Sequence, residues 1–356
     1  MIDKIAGARR LIEAGKPKNA LKLLKSRRIH PVMRGEAAFL EGEAQRNAGF
    51  FALALPAYKK ASALSKNEPP LLAESLIGLA ACQRALGMPD EAAVVAEQAC
   101  RTASKHSLLS LELRARVEKT MAVRAKGFHA AALKKLQILI KDYHKAGDGT
   151  AEGFLWWAIG GIHRLEGRYS LSIAAFRKAL KLAKKNRDKS AEGYALFGLA
   201  GVFRVAGRIP FSEKKYRAAA AIFRNSQDFF ARAYAECGLA NALRQKGDLD
   251  KAMAGYNRAH RLYSLLEDKA DLGFVEWGKG QIFARRGKIR KALACFSEAR
   301  KLFKGRAEMR GEILAGLSSA GVLYSSGHTA KAEKTYDCAV KKARRHRLHT
   351  HLEIFT

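Results

Sequence analysis

Acid is scarce in this chain. Thirty-three Asp and Glu stand against 66 Lys and Arg in 356 residues, a formal net charge of +33. A surface that repels polyanions is excluded, and attraction of acidic partners follows whatever the fold. Cysteine is scarce too. Cys82, Cys100, Cys237, Cys295 and Cys338 are scattered, odd in number and form no Cys-x-x-Cys pair. That excludes a disulfide framework and implies reduced, buried thiols in a cytosol. Long apolar runs are missing: Phe154–Ile162 is the longest useful one, too short to span a bilayer. The segment Met1–Arg10 lacks the apolar core of a signal peptide. A cytoplasmic chain without membrane association is expected.

The motifs of catalysis are missing as well. There is no phosphate-binding glycine loop, no nucleophile elbow and no Cys–His spacing of a thiol enzyme. Glu74, Glu118, Glu236 and Glu276 are isolated carboxylates without a partnering base. His346, His349 and His351 cluster amid Arg near the C-terminus, where a solvated basic tail (about 344–356) is a better reading than a metal site. The chain is read as a non-enzyme with no catalytic residue, no metal, no cofactor and no small-molecule substrate.

What is present is repetition. Gly87, Gly127, Gly167, Gly207, Gly247, Gly287 and Gly327 follow one another at intervals of forty, and Gly49 and Gly15 extend the series at shorter steps. A fixed period in this range marks a repeat solenoid, in which each unit packs only on its neighbours. If each glycine is the turn of a helical hairpin, other positions fall into register. Five residues after it stands Ala20, Ala54, Ala92, Ala132, Ser172, Ser212, Ala252, Ala292 or Ala332. Nine after it stands Tyr58, Phe176, Tyr216, Tyr256, Phe296 or Tyr336, and seven before it Gly42, Ala80, Gly160, Ala200, Ala240, Gly280 or Ala320. Small residues at facing positions let two helices approach closely, and the ring fills the space beside them. An acid stands nineteen residues before five of the turns (Asp148, Asp188, Asp228, Asp268, Glu308), placed to accept from the free N–H groups of a helix start. Nine hairpins, hence about eighteen helices, are predicted over residues 1–356 as one solenoid with no linker between domains.

With alanine twelve after the turn (Ala61, Ala99, Ala179, Ala219, Ala259, Ala299, Ala339), this small, small, aromatic and alanine pattern resembles the tetratricopeptide repeat. The common repeat has 34 residues, and only Gly15 to Gly49 keeps that interval. Units of forty look more like the extended-helix variants in cell-polarity adaptors, kinesin light chains and bacterial response-regulator-binding proteins. The extra residues are expected to lengthen both helices and the loop between hairpins. The resemblance implies an all-α, right-handed superhelix whose concave surface binds peptides. The family's two-carboxylate clamp for chaperone tails has lysine where aromatics stand here, so a chaperone-tail partner is not expected.

The first helix of each hairpin carries a second stripe, which the resemblance places on the concave surface. Three residues before the turn stand Arg46, Arg84, Arg124, Arg164, Arg204 and Arg244, in six consecutive units. Six before it are Gly161, Gly201, Asn241, Gln281 and Gly321. Ten before it are Phe39, Trp157, Phe197 and Trp277, and thirteen before it Phe154, Tyr194, Tyr234 and Phe274. One reading is a groove with an arginine ladder, aromatic walls and a glycine floor. The other is that the aromatics pack between repeats and the arginines pair with acids or reach to water. For the arginines the groove is favoured, because guanidinium suits bidentate recognition of carboxylate or phosphate. For the aromatics packing is favoured. The candidate ligand residues are Arg84, Arg124, Arg164, Arg204, Arg244, Tyr194, Tyr234, Phe197, Trp157, Trp277, Asn241 and Gln281. The expected function is a protein-interaction scaffold for an acidic or C-terminal peptide segment. The alternative is single-stranded nucleic acid (RNA), for which arginines with interleaved aromatics are also suited.

Overall fold

The computed structural model describes residues 2–25, 30–304 and 308–345. Most of the basic tail, including His346, His349 and His351, lies outside the described residues. Within them are eighteen α-helices, one short 3-10 turn at Pro31–Met33 and no strand. The helices pair as α1 (Ile2–Glu13) with α2 (Pro17–Lys25), α3 (Arg34–Asn47) with α4 (Phe51–Leu64), and α5 (Pro69–Ala85) with α6 (Pro89–Lys105). Then come α7 (Leu109–Ala125) and α8 (His129–Lys145), α9 (Gly149–Leu165) and α10 (Tyr169–Lys185), α11 (Lys189–Val205) and α12 (Ile209–Phe223). The last three pairs are α13 (Phe229–Lys246) with α14 (Leu249–Leu265), α15 (Lys269–Arg285) with α16 (Ile289–Lys304), and α17 (Met309–Ser325) with α18 (Thr329–Arg345).

All nine turn glycines have positive φ, from 67° at Gly287 to 102° at Gly247. An L side chain is strained there, so glycine ends each first helix and lets the chain reverse within three residues. Three of the five acids ahead of the first helices cap them, and Glu308 makes no such bond. Asp148 Oδ1 accepts from the Ala151 N–H at 2.9 Å, Asp188 from Ala191 at 2.9 Å and Asp268 from Asp271 at 3.1 Å. One expectation fails. The loops between the central hairpins are not lengthened: only three residues separate Lys105 from Leu109, Lys145 from Gly149, and Leu265 from Lys269. Their middle residues, Ser107, Gly147 and Glu267, take left-handed φ values of 54°, 71° and 55°. The extra length goes into helices of 17 residues instead.

The interior follows the register. The small residue five after each turn is buried in every hairpin, from Ala20 at 0% exposure to Ala332 at 4%. The ring nine after the turn is buried at Tyr58, Phe176, Tyr216, Tyr256 and Phe296, and each such burial contributes about 1.5–3 kcal/mol. Tyr336, in the last described hairpin, is exposed. The residue seven before the turn meets its own second helix: Ser212 Oγ donates to the Ala200 carbonyl at 2.8 Å, and Gly42 faces the Tyr58 ring. Contacts run within hairpins such as α3–α4, α5–α6 and α15–α16, onward as in α4–α5 and α16–α17, and between first helices as in α3–α5 and α15–α17.

The helices gather into two compact units. The first comprises Met1–Ile162 with Lys185–Arg187 and Asn225–Phe230; the second comprises His163–Lys184, Asp188–Arg224 and Ala231–Thr356. In the first unit, segment Asn225–Phe230 is held on the opening hairpins. The Lys18 N–H donates to Gln227 Oε1 at 2.9 Å, the Phe229 N–H donates to the Ala48 carbonyl at 3.2 Å, and Lys18 Nζ lies 4.0 Å from the Phe229 ring centre. The rings of Phe229 and Phe230 rest on Phe50 and Phe51, with centroids 5.9 and 5.7 Å apart.

Candidate functional site

Arginine recurs at one register position, but its neighbours differ from unit to unit. In the first unit Arg46 donates to Glu43 at 2.8 Å and to the Tyr58 hydroxyl at 3.1 Å. Their mutual charge holds the Glu43 carboxyl below its usual range despite burial. Arg84 is engaged by Glu118 at 3.1 Å. Arg124 lies 5.9 Å from the centre of Trp157, which stacks on Phe154 at 5.8 Å. A Cβ on Gly161 would stand 2.7 Å from Arg124 Nη2. The glycine at that position therefore makes room for the arginine of the preceding hairpin.

In the second unit the pattern divides again. Arg244 is 5% exposed. Its Nε donates to the Tyr256 hydroxyl at 3.1 Å, and its guanidinium lies 5.2 Å from the Trp277 ring centre. The Tyr256 hydroxyl in turn donates to Asn241 Oδ1 at 2.8 Å. Arg244 is thus a buried packing group, which corrects its expected place on an exposed ladder. Gln281 Nε2 and Trp277 Nε1 both donate to Ser318 Oγ, at 2.7 and 2.9 Å. Phe197 is 3% exposed and stacks on Phe223 at 5.4 Å, with Tyr194 at 5.8 Å and Tyr234 at 5.1 Å from its ring. Phe197 thus packs against its own second helix and against Tyr234 of the next hairpin.

Arg164 and Arg204 do something else. Both line a cavity of about 150 Å³ together with Arg310, Tyr234, Asn241, Asp271, Phe274 and Trp277. Tyr216, Cys237, Gly238, Tyr263 and Leu314 complete its wall. Five of the helices that supply it are the first helices of successive hairpins: α9, α11, α13, α15 and α17. The Nε of Arg204 is buried without a hydrogen-bond partner. The three arginines feel one another. The Arg310 guanidinium is pushed below its usual range by burial, while Glu308 opposes this and Arg164 and Arg204 reinforce it. Glu308 stands 3.8 Å from Arg310. Burial, and then the charge of Asp268, push the Asp271 carboxyl up to about 8, against a hydrogen bond from Tyr263. At neutral pH Asp271 is therefore largely uncharged, and the cavity keeps the positive sign of its arginines. Half-buried charge of one sign around a space of this size can accommodate one carboxylate or phosphate group.

The register missed Arg310, Asp271 and Tyr263. The first two lie near helix starts, at positions that the other hairpins fill with uncharged residues. Only the charge of Arg310 and Asp271 at those positions hinted at them.

Among the described residues no group of His, Cys, Asp and Glu could hold a metal ion, and no helix is long and apolar enough to cross a membrane. All five cysteines are free. Cys82 and Cys237 are buried as expected, and burial pushes both thiols up to about 12. Cys338 is exposed, contrary to the expectation of uniform burial.

Tetratricopeptide-repeat family models match residues 155–186 and 231–305. The chain carries tetratricopeptide repeats in these two segments. Its fold is similar to the crystal structure of a Rap protein complexed with competence and sporulation factor. That likeness has a TM-score of 0.69 at 13% identity, over 97% of this chain and 98% of the other. It is also similar to NprR in complex with its cognate peptide NprX, with a TM-score of 0.62 at 12% identity, over 74% and 77% of the two chains. No curated protein matches the repeat protein in sequence.

Proposed function

We propose that this tetratricopeptide-repeat protein is a non-catalytic scaffold that binds a protein segment along the first helices of its second unit. The segment presents a carboxylate, from an acidic side chain or the chain end, to Arg164, Arg204 and Arg310. The observation that carries the reading is the convergence of these three arginines on one small cavity beside Tyr234, Phe274 and Trp277. A half-buried, like-charged cluster is costly and is relieved by an anion. The rings beside it supply apolar contact to the flanking residues of the segment. In support, two proteins of similar fold are seen with a bound factor or peptide. The free thiols fit a reducing cytoplasm.

Selection from a displayed peptide library with free C-termini tests this. The protein should enrich acidic or carboxylate-terminated segments, and the Arg164→Ala/Arg204→Ala variant should lose that enrichment. Selected sequences without acidic character, or equal enrichment by the variant, would refute it.

A further inference from the structure

A second cavity lies away from the arginine pocket and shares no residue with it. It measures about 420 Å³ and is lined by Arg177, Phe203, Arg208, Phe211, Lys214 and Lys215. Arg177 is on α10, Phe203 near the end of α11, Arg208 in the turn that follows, and the other three on α12. All belong to the second unit. The two rings are 5.7 Å apart and tilted by 39°. Phe203 is buried and supports Phe211, which leaves 59% of its surface in water.

No carboxylate lines this cavity. None of its four cations is engaged by an acid, and Glu213, the acid nearest in sequence, is taken by Arg217 at 2.7 Å and Lys246 at 3.2 Å. Four uncompensated cations around an exposed ring repel one another, and the fold gains nothing from bringing them together. The arrangement differs from the arginine pocket. There the charge encloses a space for one group. Here it spreads over three elements at the rim of an open aromatic platform, which fits a ligand with several charges in a row and a flat face between them.

We infer that this patch binds single-stranded nucleic acid, with a base stacked on Phe211 and successive phosphates on Arg177, Arg208, Lys214 and Lys215. Lysine is a point charge on a long stem and follows a phosphate backbone without requiring a fixed geometry. Stacking on one ring is tolerant of base identity, so the binding is general rather than sequence-specific. The net charge of +33 draws the same ligand from a distance. An acidic peptide would satisfy the cations but has no regular partner for the ring.

The test is fluorescence anisotropy with a labelled oligothymidylate of about 16 nucleotides, the upper range of small single-strand sites, over a series of salt concentrations. The unmodified protein should bind at low salt and weaken steeply as salt rises. Phe211→Ala and Phe211→Leu should each weaken binding about tenfold with the salt slope unchanged, because a π-face and not a charge is removed. Arg177→Ala/Lys214→Ala/Lys215→Ala should weaken binding and reduce the slope by about two, for three phosphates at roughly 0.7 each. A control of equal charge, Lys59→Ala/Lys60→Ala/Lys66→Ala, should change affinity less than about twofold. Arg164→Ala/Arg204→Ala should leave oligothymidylate binding unchanged, so this inference and the carboxylate pocket stand or fall separately. The inference is overturned by absent binding at low salt, by Phe211 variants that bind normally, or by equal losses from the two triple variants. Tighter, Phe211-dependent binding of labelled polyglutamate would overturn it too, and would make an acidic protein segment the occupant.

Discussion

The ring of Tyr216 occupies the space in which a side chain on Gly238 would stand: a Cβ built there falls well inside contact distance of three ring atoms. Tyr216 belongs to one hairpin and Gly238 to the next. The same relation joins Tyr58 to Gly78, Phe176 to Gly198 and Tyr256 to Gly278. Each ring lies nine residues after a turn, and each glycine nine residues before the next. The period of forty is thus visible in a contact that locks successive repeats together, ring against bare backbone.

Glycine to alanine should therefore have opposite effects at two positions. At Gly238 the new methyl meets a ring that is 3% exposed and cannot move aside. Gly238→Ala should cost about 1–3 kcal/mol through overpacking. At Gly161 the neighbour is the end of a flexible side chain, Arg124. Gly161→Ala should leave stability unchanged or raise it by up to about 1 kcal/mol, the helix propensity gained. Urea unfolding of the two variants checks this, and a loss at both positions would contradict the assignment of neighbours.

Ala240 carries the matching test within a hairpin. It is fully buried, and its Cβ would stand 3.0 Å from a Cβ on Gly255 of the second helix. Ala240→Leu has no free space to fill and should destabilise by about 1–3 kcal/mol. A thermal midpoint equal to that of the unmodified protein would show that the helices part more easily than the packing implies.

Three arginines at one register position should behave differently on removal. Arg244→Ala takes away a buried group and its hydrogen bond to Tyr256, at a cost of about 2 kcal/mol or more. Arg164→Ala and Arg204→Ala remove charge from around a cavity where like charges already crowd. Each should change stability by less than about 1 kcal/mol. Chemical denaturation of the three single variants separates them, and equal losses would mean that Arg164 and Arg204 are structural as well.

Much of this fold was legible in the sequence, because its rules repeat. Turn glycines, buried small residues and capping aspartates each recur at a fixed offset, and every hairpin restates the same packing problem. The loop length was misjudged, since Ser107, Arg187 and Glu267 adopt left-handed φ without being glycine. The site was legible only in part. Register fixes the direction in which an arginine leaves its helix, but the neighbours set its role, and Glu118, Trp157 and Tyr256 come from other helices. Gln227 and Phe229 reach residues about 180–210 positions away, and no local pattern announces such a contact.

Asp271 gives the arginine pocket a dependence on pH. Its carboxyl is raised from 3.8 to about 8 by burial and by Asp268, with Glu308 adding to the rise and Tyr263 and Arg310 opposing it. Below the ordinary carboxylate range, folded and unfolded chains both carry the proton. As pH rises toward about 8 the unfolded chain has released it and the folded chain has not, so stability falls through that interval and levels off above it. Anion binding follows the same proton. While Asp271 is neutral, Glu308 beside Arg310 is the acid set against the three arginines; once Asp271 ionises, a second carboxylate competes for them. Sulfate keeps its charge across this range and is a suitable probe. Its stabilising effect on thermal unfolding should shrink as pH rises through about 8. Asp271→Asn should flatten both the stability profile and the sulfate effect, because the amide cannot ionise. A sulfate effect in the unmodified protein that stays constant from about pH 6 to about pH 9 would show that Asp271 does not act on the pocket.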